Sequence, residues 1–252
     1  MKKIIRFIKT IIQVYTEKKA GRSAAELAYN LTLSLFPLLI CLNAMLSGLN
    51  ITSREIVEWG SGLIPMTALR LFADYADYVK GSYSAAMLTG AIALMAASGS
   101  AAFRSATGIS REIMGADAKK NGIKNYALSF VYASVFLLAV YAAVIVILAG
   151  GALPYARFIL LYVILFAAVW GVYRISAPGL RHLPGAFAAA TALELTGIAF
   201  SLTVEASAKY TLVYGSISAL IVLMIWLSAC GNILIIGSII NSAISCESST
   251  PR

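Results

Sequence analysis

Charge is what this sequence has least of. Asp, Glu, Lys and Arg make up 12% of its 252 residues while 60% are hydrophobic, a charged share about half that of an ordinary soluble domain. One globular core cannot hide so much apolar surface, which excludes a soluble domain. Histidine is scarcer still. His182 stands alone, and a single histidine cannot build the clustered His/Asp ligand sets of metal-dependent nucleases. Cys41, Cys230 and Cys246 are odd in number and lack paired spacing, which suggests neither a disulfide framework nor a zinc site. A glycine-rich phosphate loop and a nucleophile elbow are also missing. The chain is therefore read as a non-enzyme with no catalytic residue, metal or cofactor, and ATP-driven transport by this chain alone is disfavoured.

What the sequence does hold is six long uncharged runs. A bilayer core of about 30 Å needs roughly 20 apolar residues per helix. The runs cover 27–53, 81–103, 125–155, 158–173, 183–204 and 210–246, the fifth broken only by Glu194. Apolar residues come in blocks and do not alternate with polar ones, so the spanning elements are expected to be helices and not barrel strands. The fold class is all-α: a polytopic bundle of six transmembrane helices, with spans at about 27–50, 82–103, 126–149, 156–175, 184–204 and 211–244. The first run begins only at Leu27, is too long for a signal-peptide core and lacks a small-residue cleavage site, so it is expected to act as an uncleaved anchor.

Orientation follows from Lys and Arg. A cytoplasmic N-terminus puts fifteen of them on inner segments and five on outer ones, and the positive-inside rule selects that arrangement, with both termini inside. The net charge of +9 requires no nucleic acid; the expected partners are membrane lipids, above all anionic lipid at the cytoplasmic face. A homo-oligomer stays open.

Residues 1–22 read as a cytoplasmic amphipathic helix, 23–246 as one membrane domain and 247–252 as a cytoplasmic tail. In the first segment Ile4, Ile5, Ile8, Ile11, Ile12 and Tyr15 share a face, mostly opposite Lys2, Lys3, Arg6, Lys9 and Gln13. That pattern fits a helix lying flat on the inner leaflet. It fits equally a helix packed beneath the bundle with its basic face in water, and the two readings are compatible. Lys2, Lys3, Arg6, Lys9 and His182, the last in a short basic connection, are the expected contacts to lipid head groups. Residues 53–80 read as two short outer helices parted at Pro65. The sixth run is longer than a perpendicular helix needs, so it must tilt, break or project. Gly231 and Gly237 are its candidate break or close-packing points, and the small residues at 98–102 invite close helix contact as well.

Glu194 is the sharpest single feature, with ten uncharged residues on either side of it within its span. A carboxylate at membrane depth costs several kcal/mol unless it faces the bundle interior, faces water or is protonated. It is either a binding site for a proton, an ion or a head group, or a protonated acid hydrogen-bonded to a neighbouring helix. Asn30, Ser34 and Asn43 in span one and Ser228, Asn232 and Asn241 in span six could share such an interior, although hydrogen bonding between helices would explain each of them. Pro37 frees a backbone carbonyl and kinks span one. The path candidates are Glu194, Asn43, Ser34, Pro37, Asn232, Asn241 and Tyr214. They imply a transporter-like bundle that moves or shields a lipid or ionic substrate through a cavity between spans one, five and six. The competing expectation is a non-catalytic scaffold for envelope lipids or proteins.

Three stretches carry a resemblance to a known family. The first is Ala24-Ala25-Glu26-Leu27-Ala28-Tyr29 followed by Ser34-Leu35-Phe36-Pro37, the second Pro184-Gly185-Ala186, and the third Tyr214-Gly215-Ser216 with Trp226, Gly237 and Asn241. In this order they resemble the YihY/BrkB family of bacterial inner-membrane proteins, which has also carried the label ribonuclease BN. The resemblance covers nearly the whole chain. It implies a cytoplasmic-membrane protein concerned with the envelope, with lipid or ion transport among the suggested roles, and the residues here disfavour the ribonuclease label. Where the family commonly reads Gly-Ala-Glu-Leu-Asn, this chain reads Gly237-Ser238-Ile239-Ile240-Asn241. The acid is missing, and Glu194 can replace it only if the two helices meet there.

Overall fold

The computed structural model describes residues 2–46, 52–60, 66, 69–70, 73–74, 77, 85–116, 122–149, 156–206 and 216–249. Among the described residues all regular structure is helical. The helices are α1 (Lys2–Glu17), α2 (Ala20–Leu46), α3 (Ser53–Gly60), α4 (Ala85–Ile113), α5 (Gly122–Ala149), α6 (Ala156–Ser176), α7 (Leu183–Ala206) and α8 (Ser216–Ser249). Apart from α1 and α3 they run for 21 to 34 residues, or about 32 to 51 Å at 1.5 Å per residue. Ile159–Ser176, Leu183–Phe200 and Ile221–Ser245, in α6, α7 and α8, are each long and apolar enough to cross a membrane. A shorter apolar stretch, Tyr126–Val140, lies in α5. The first expected outer helix is α3, whereas Pro65 and most of the second lie outside the described residues.

Local chemistry explains where several helices stop. Lys19 adopts φ 49°, in the left-handed region, and ends α1; its carbonyl then accepts the Arg22 N–H at 2.9 Å as α2 begins. At the end of α4, Gly115 takes φ 67°. The Ala116 N–H reaches back to the Arg111 carbonyl at 3.1 Å and the Gly115 N–H to that of Glu112 at 3.4 Å, the double closure of a Schellman cap. From Ala177 to Leu180 the chain makes a tight turn closed by the Leu180 N–H on the Ala177 carbonyl at 3.4 Å. Pro178 and Gly179, the latter at φ 103°, fill the two central places as a type II turn requires. His182 follows as the residue capping α7, its carbonyl taking the Ala186 N–H at 3.0 Å. Pro184 sits in that first turn, where a missing N–H costs nothing.

In the bundle α2 packs on α4 and α8, α7 on α6 and α8, α4 on α5 and α6, and α1 on α8 and α2. The tightest packing gathers at one end. There the start of α2 (Ala20, Ala24), the end of α4 (Ile113), the end of α6 (Tyr173) with Ala177 just beyond it, the start of α7 (Ala186, Ala189) and the later part of α8 (Ile235, Ile239) are all buried. α8 runs unbroken through Gly231 and Gly237, which settles the choice left open for them. They are close-packing points: a Cβ on Gly231 would lie 2.9 Å from the Ala24 carbonyl oxygen, and one on Gly237 would lie 2.9 Å from both the Gly185 carbonyl oxygen and the Ala189 Cβ.

Candidate functional site

The packed end is also where buried polar groups concentrate. Tyr173, fully buried, donates its hydroxyl proton to the Leu234 carbonyl at 2.7 Å. Ser238 Oγ lies 2.9 Å from Ser110 Oγ, joining α8 to α4. Across the α7–α8 contact the Gly185 N–H donates to Asn241 Oδ1 at 2.8 Å, while Asn241 Nδ2 is enclosed without a partner among the described residues. Arg111 Nε reaches the Ser176 carbonyl at 3.3 Å, so α4 braces the end of α6.

His182 belongs to this end too. A head-group contact calls for an exposed ring, but this one is buried at 6% exposure, and neither nitrogen has a hydrogen-bond partner among the described residues. Burial holds the ring below the ordinary histidine value. The nearby Ala177 backbone works the other way, and the Arg174 guanidinium adds to the lowering. A buried neutral imidazole is poorly placed to act as a general base.

Among the described residues no two path candidates share a hydrogen bond. Gly185 and Ala189 face α8, and Glu194 lies nine and five residues further along α7. At about 100° per residue it points some 140° to 180° away from α8. Its own stripe is Phe187, Thr191, Glu194, which faces α6: the Thr191 hydroxyl is 3.2 Å from that of Tyr162, and the Phe187 and Tyr162 rings meet edge to face at 6.3 Å. Glu194 is half-buried and has no hydrogen bond or ion pair to a described residue. It does not substitute for the missing family acid either. Ile239, at that position, is fully buried in an apolar cluster with Ala20, Ala24 and Ile113, away from α7.

Ser34 donates back to the Leu31 carbonyl within α2 at 2.8 Å, and Pro37 sits inside the same helix. Asn232 receives the Tyr15 hydroxyl of α1 at 2.5 Å. Asn241 belongs to the α7–α8 contact, Lys9 is exposed, and Tyr214 and the side chains of Asn43, Lys2, Lys3 and Arg6 lie outside the described residues. The contacts of Tyr173, Ser110 and Ser238 are visible only in the structure. Only Tyr173 carried a signal, as the last residue before Arg174 at the end of an uncharged run. Among the described residues no three His, Cys, Asp or Glu side chains are grouped to hold a metal.

The family model described as Virulence factor BrkB matches residues 11–252. This chain belongs to the BrkB family. A curated relative, YfkH of Bacillus subtilis (strain 168), is named as ribonuclease-like and is 27% identical over 270 residues, covering 94% of this chain and 94% of its own. No solved structure matches. Membership, together with three helices of membrane-spanning length and composition, makes this BrkB protein a membrane protein. Residues of the stretches that carry the resemblance are in part spatial neighbours. Ala24 abuts Gly231, and Gly185 abuts Gly237 and Asn241, so the first two stretches both pack on α8.

Proposed function

We propose that this BrkB protein is a six-span bundle of the bacterial cytoplasmic membrane, with both termini inside, that moves or shields a lipid or ionic substrate in the manner of a transporter. The observation that carries the reading is Glu194: a half-buried carboxyl group midway along an apolar helix, with no partner among the described residues. Such groups are expensive at membrane depth and mark substrate, ion or proton paths. The seam between α6 and α7, where Thr191 and Tyr162 add two hydroxyl groups one turn away, is then the path, in place of a cavity between spans one, five and six. Closed packing of α7 and α2 on α8 through Gly237 and Gly231 speaks against a path along those helices at the packed end.

That same packing favours a second reading, a scaffold whose polar residues only join helices. RNA hydrolysis is disfavoured because the one histidine is enclosed and neither of its ring nitrogens meets a partner among the described residues. The deciding experiment reconstitutes the purified protein in liposomes and follows ion flux and exchange of labelled lipid between leaflets, for the native protein and for Glu194→Gln and Glu194→Leu. A transporter loses flux or exchange in the Gln variant at an unchanged melting temperature, because the amide keeps the shape of the acid. Full activity in Glu194→Gln would sink the charge-dependent path. A scaffold instead shows no transport for any of the three proteins.

A further inference from the structure

The sequence gives α1 one apolar face; the structure divides it in two. Ile11, Val14 and Tyr15 pack against the cluster of Ala20, Ala24, Ile113, Ile235 and Ile239, and the Tyr15 hydroxyl is fixed to Asn232 of α8 at 2.5 Å. Ile5, Ile8 and Ile12 do not share in that packing and are 51%, 49% and 60% exposed. At about 100° per residue these three fall within a sector of roughly 60°, and Lys9 comes next on the side away from the docked stripe. Around the helix the order is therefore bundle, isoleucine stripe, lysine. An isoleucine stripe of this kind in water would be costly, at about 25 cal/mol for each Å² of apolar surface left exposed. It lies on the flank of a bundle whose other exposed large apolar residues, among the described ones, belong to α2, α4, α5, α6, α7 and α8, three of which are long and apolar enough to cross a membrane. Lys9, Lys18, Lys19 and Arg22 are exposed nearby and make no ion pair with a described residue.

We infer that Ile5, Ile8 and Ile12 form a membrane-insertion face fitted to the anionic cytoplasmic surface of the bilayer, while the adjoining Ile11, Val14 and Tyr15 stripe holds α1 against the bundle. The inference rests on the proposed topology only in placing α1 inside. Apolar side chains sink to the head-group and acyl boundary and basic ones remain at the phosphates, the arrangement of an interfacial helix. Anchorage at Tyr15 fixes which side of α1 can reach lipid, and a free amphipathic peptide would leave that undecided.

The test uses the full-length protein in vesicles of phosphatidylglycerol or of phosphatidylcholine, with a photoreactive benzoylphenylalanine at position 8, 11 or 12. Positions 8 and 12 should give lipid adducts by mass spectrometry, at least about threefold more in phosphatidylglycerol, and position 11 should crosslink within the chain. Adducts of position 8 or 12 to a second copy or to the chain's own helices would overturn the face. So would equal lipid yields at positions 8 and 11, and equal yields in the two lipids would overturn its anionic preference. Protease protection of an N-terminal tag, run on the same vesicles, reports the topology separately, so a misplaced N-terminus is distinguished from a misassigned face.

Discussion

The backbone N–H of Gly185 donates to the side-chain oxygen of Asn241 across the α7–α8 contact, at 2.8 Å. Asn241 is fully buried, and without its oxygen a peptide N–H is left unsatisfied where water does not reach. Asn241→Ala should lower stability by about 1 to 3 kcal/mol, read as a fall in the melting temperature in detergent. An unchanged melt would mean that another acceptor moves in.

The glycines beneath that bond can be separated by what surrounds them. A Cβ on Gly185 would run into the Gly237 carbonyl, and one on Gly237 into the Tyr173 hydroxyl. Gly185→Ala and Gly237→Ala should each cost about 1 to 3 kcal/mol through overpacking. A Cβ on Gly108, in α4, meets nothing within 4 Å, so Gly108→Ala should gain up to about 1 kcal/mol from helix propensity. The same thermal melts rank the three variants, and equal effects would remove the distinction.

Lys19 offers a gain of another kind. Its φ of 49° places a Cβ against the neighbouring carbonyl at a cost of about 1 to 2 kcal/mol, which glycine escapes. Lys19→Gly should thus stabilise the α1–α2 corner by about 1 kcal/mol, less the greater freedom that glycine gives the unfolded chain. Slower proteolysis at the corner is the sensitive readout.

The His182 ring makes stability depend on pH. Its folded value is lowered, chiefly by burial, so the unfolded chain binds the proton first. Its contribution is complete above the ordinary histidine value of about 6.5 and is lost as pH falls from there through the lowered folded value. Melting temperatures taken from pH 8 down to pH 5 should drop more steeply for the native protein than for His182→Gln. Superimposable curves would show that the ring is hydrated.

How much was readable beforehand depended on the range of the cause. Uncharged runs are local, so the all-helical class and the long helices followed from composition; α6 closes at Ser176, two residues past the Arg174 that ends its run. Side chains that meet across the bundle leave no such trace. Ser110 and Ser238 are 128 residues apart, and each alone is an ordinary serine in an apolar helix. Glu194 could be placed at a depth along its helix, but its azimuth acquires meaning only once Gly185 and Ala189 show which side α8 occupies. His182 looked exposed because its neighbours are basic, whereas the turn at Pro178 and Gly179 folds it inward.

The joint between Ala24 and Gly231 sets a timetable for biogenesis. About 200 residues lie between the two partners along the chain, and at about 5 to 20 residues per second roughly 10 to 40 s separate them on the ribosome. Through that interval α2 must wait without the helix it will pack against, its small-residue face open to whatever surrounds it. Translation that stops short of α8 leaves that face unclaimed, a ready target for membrane quality control.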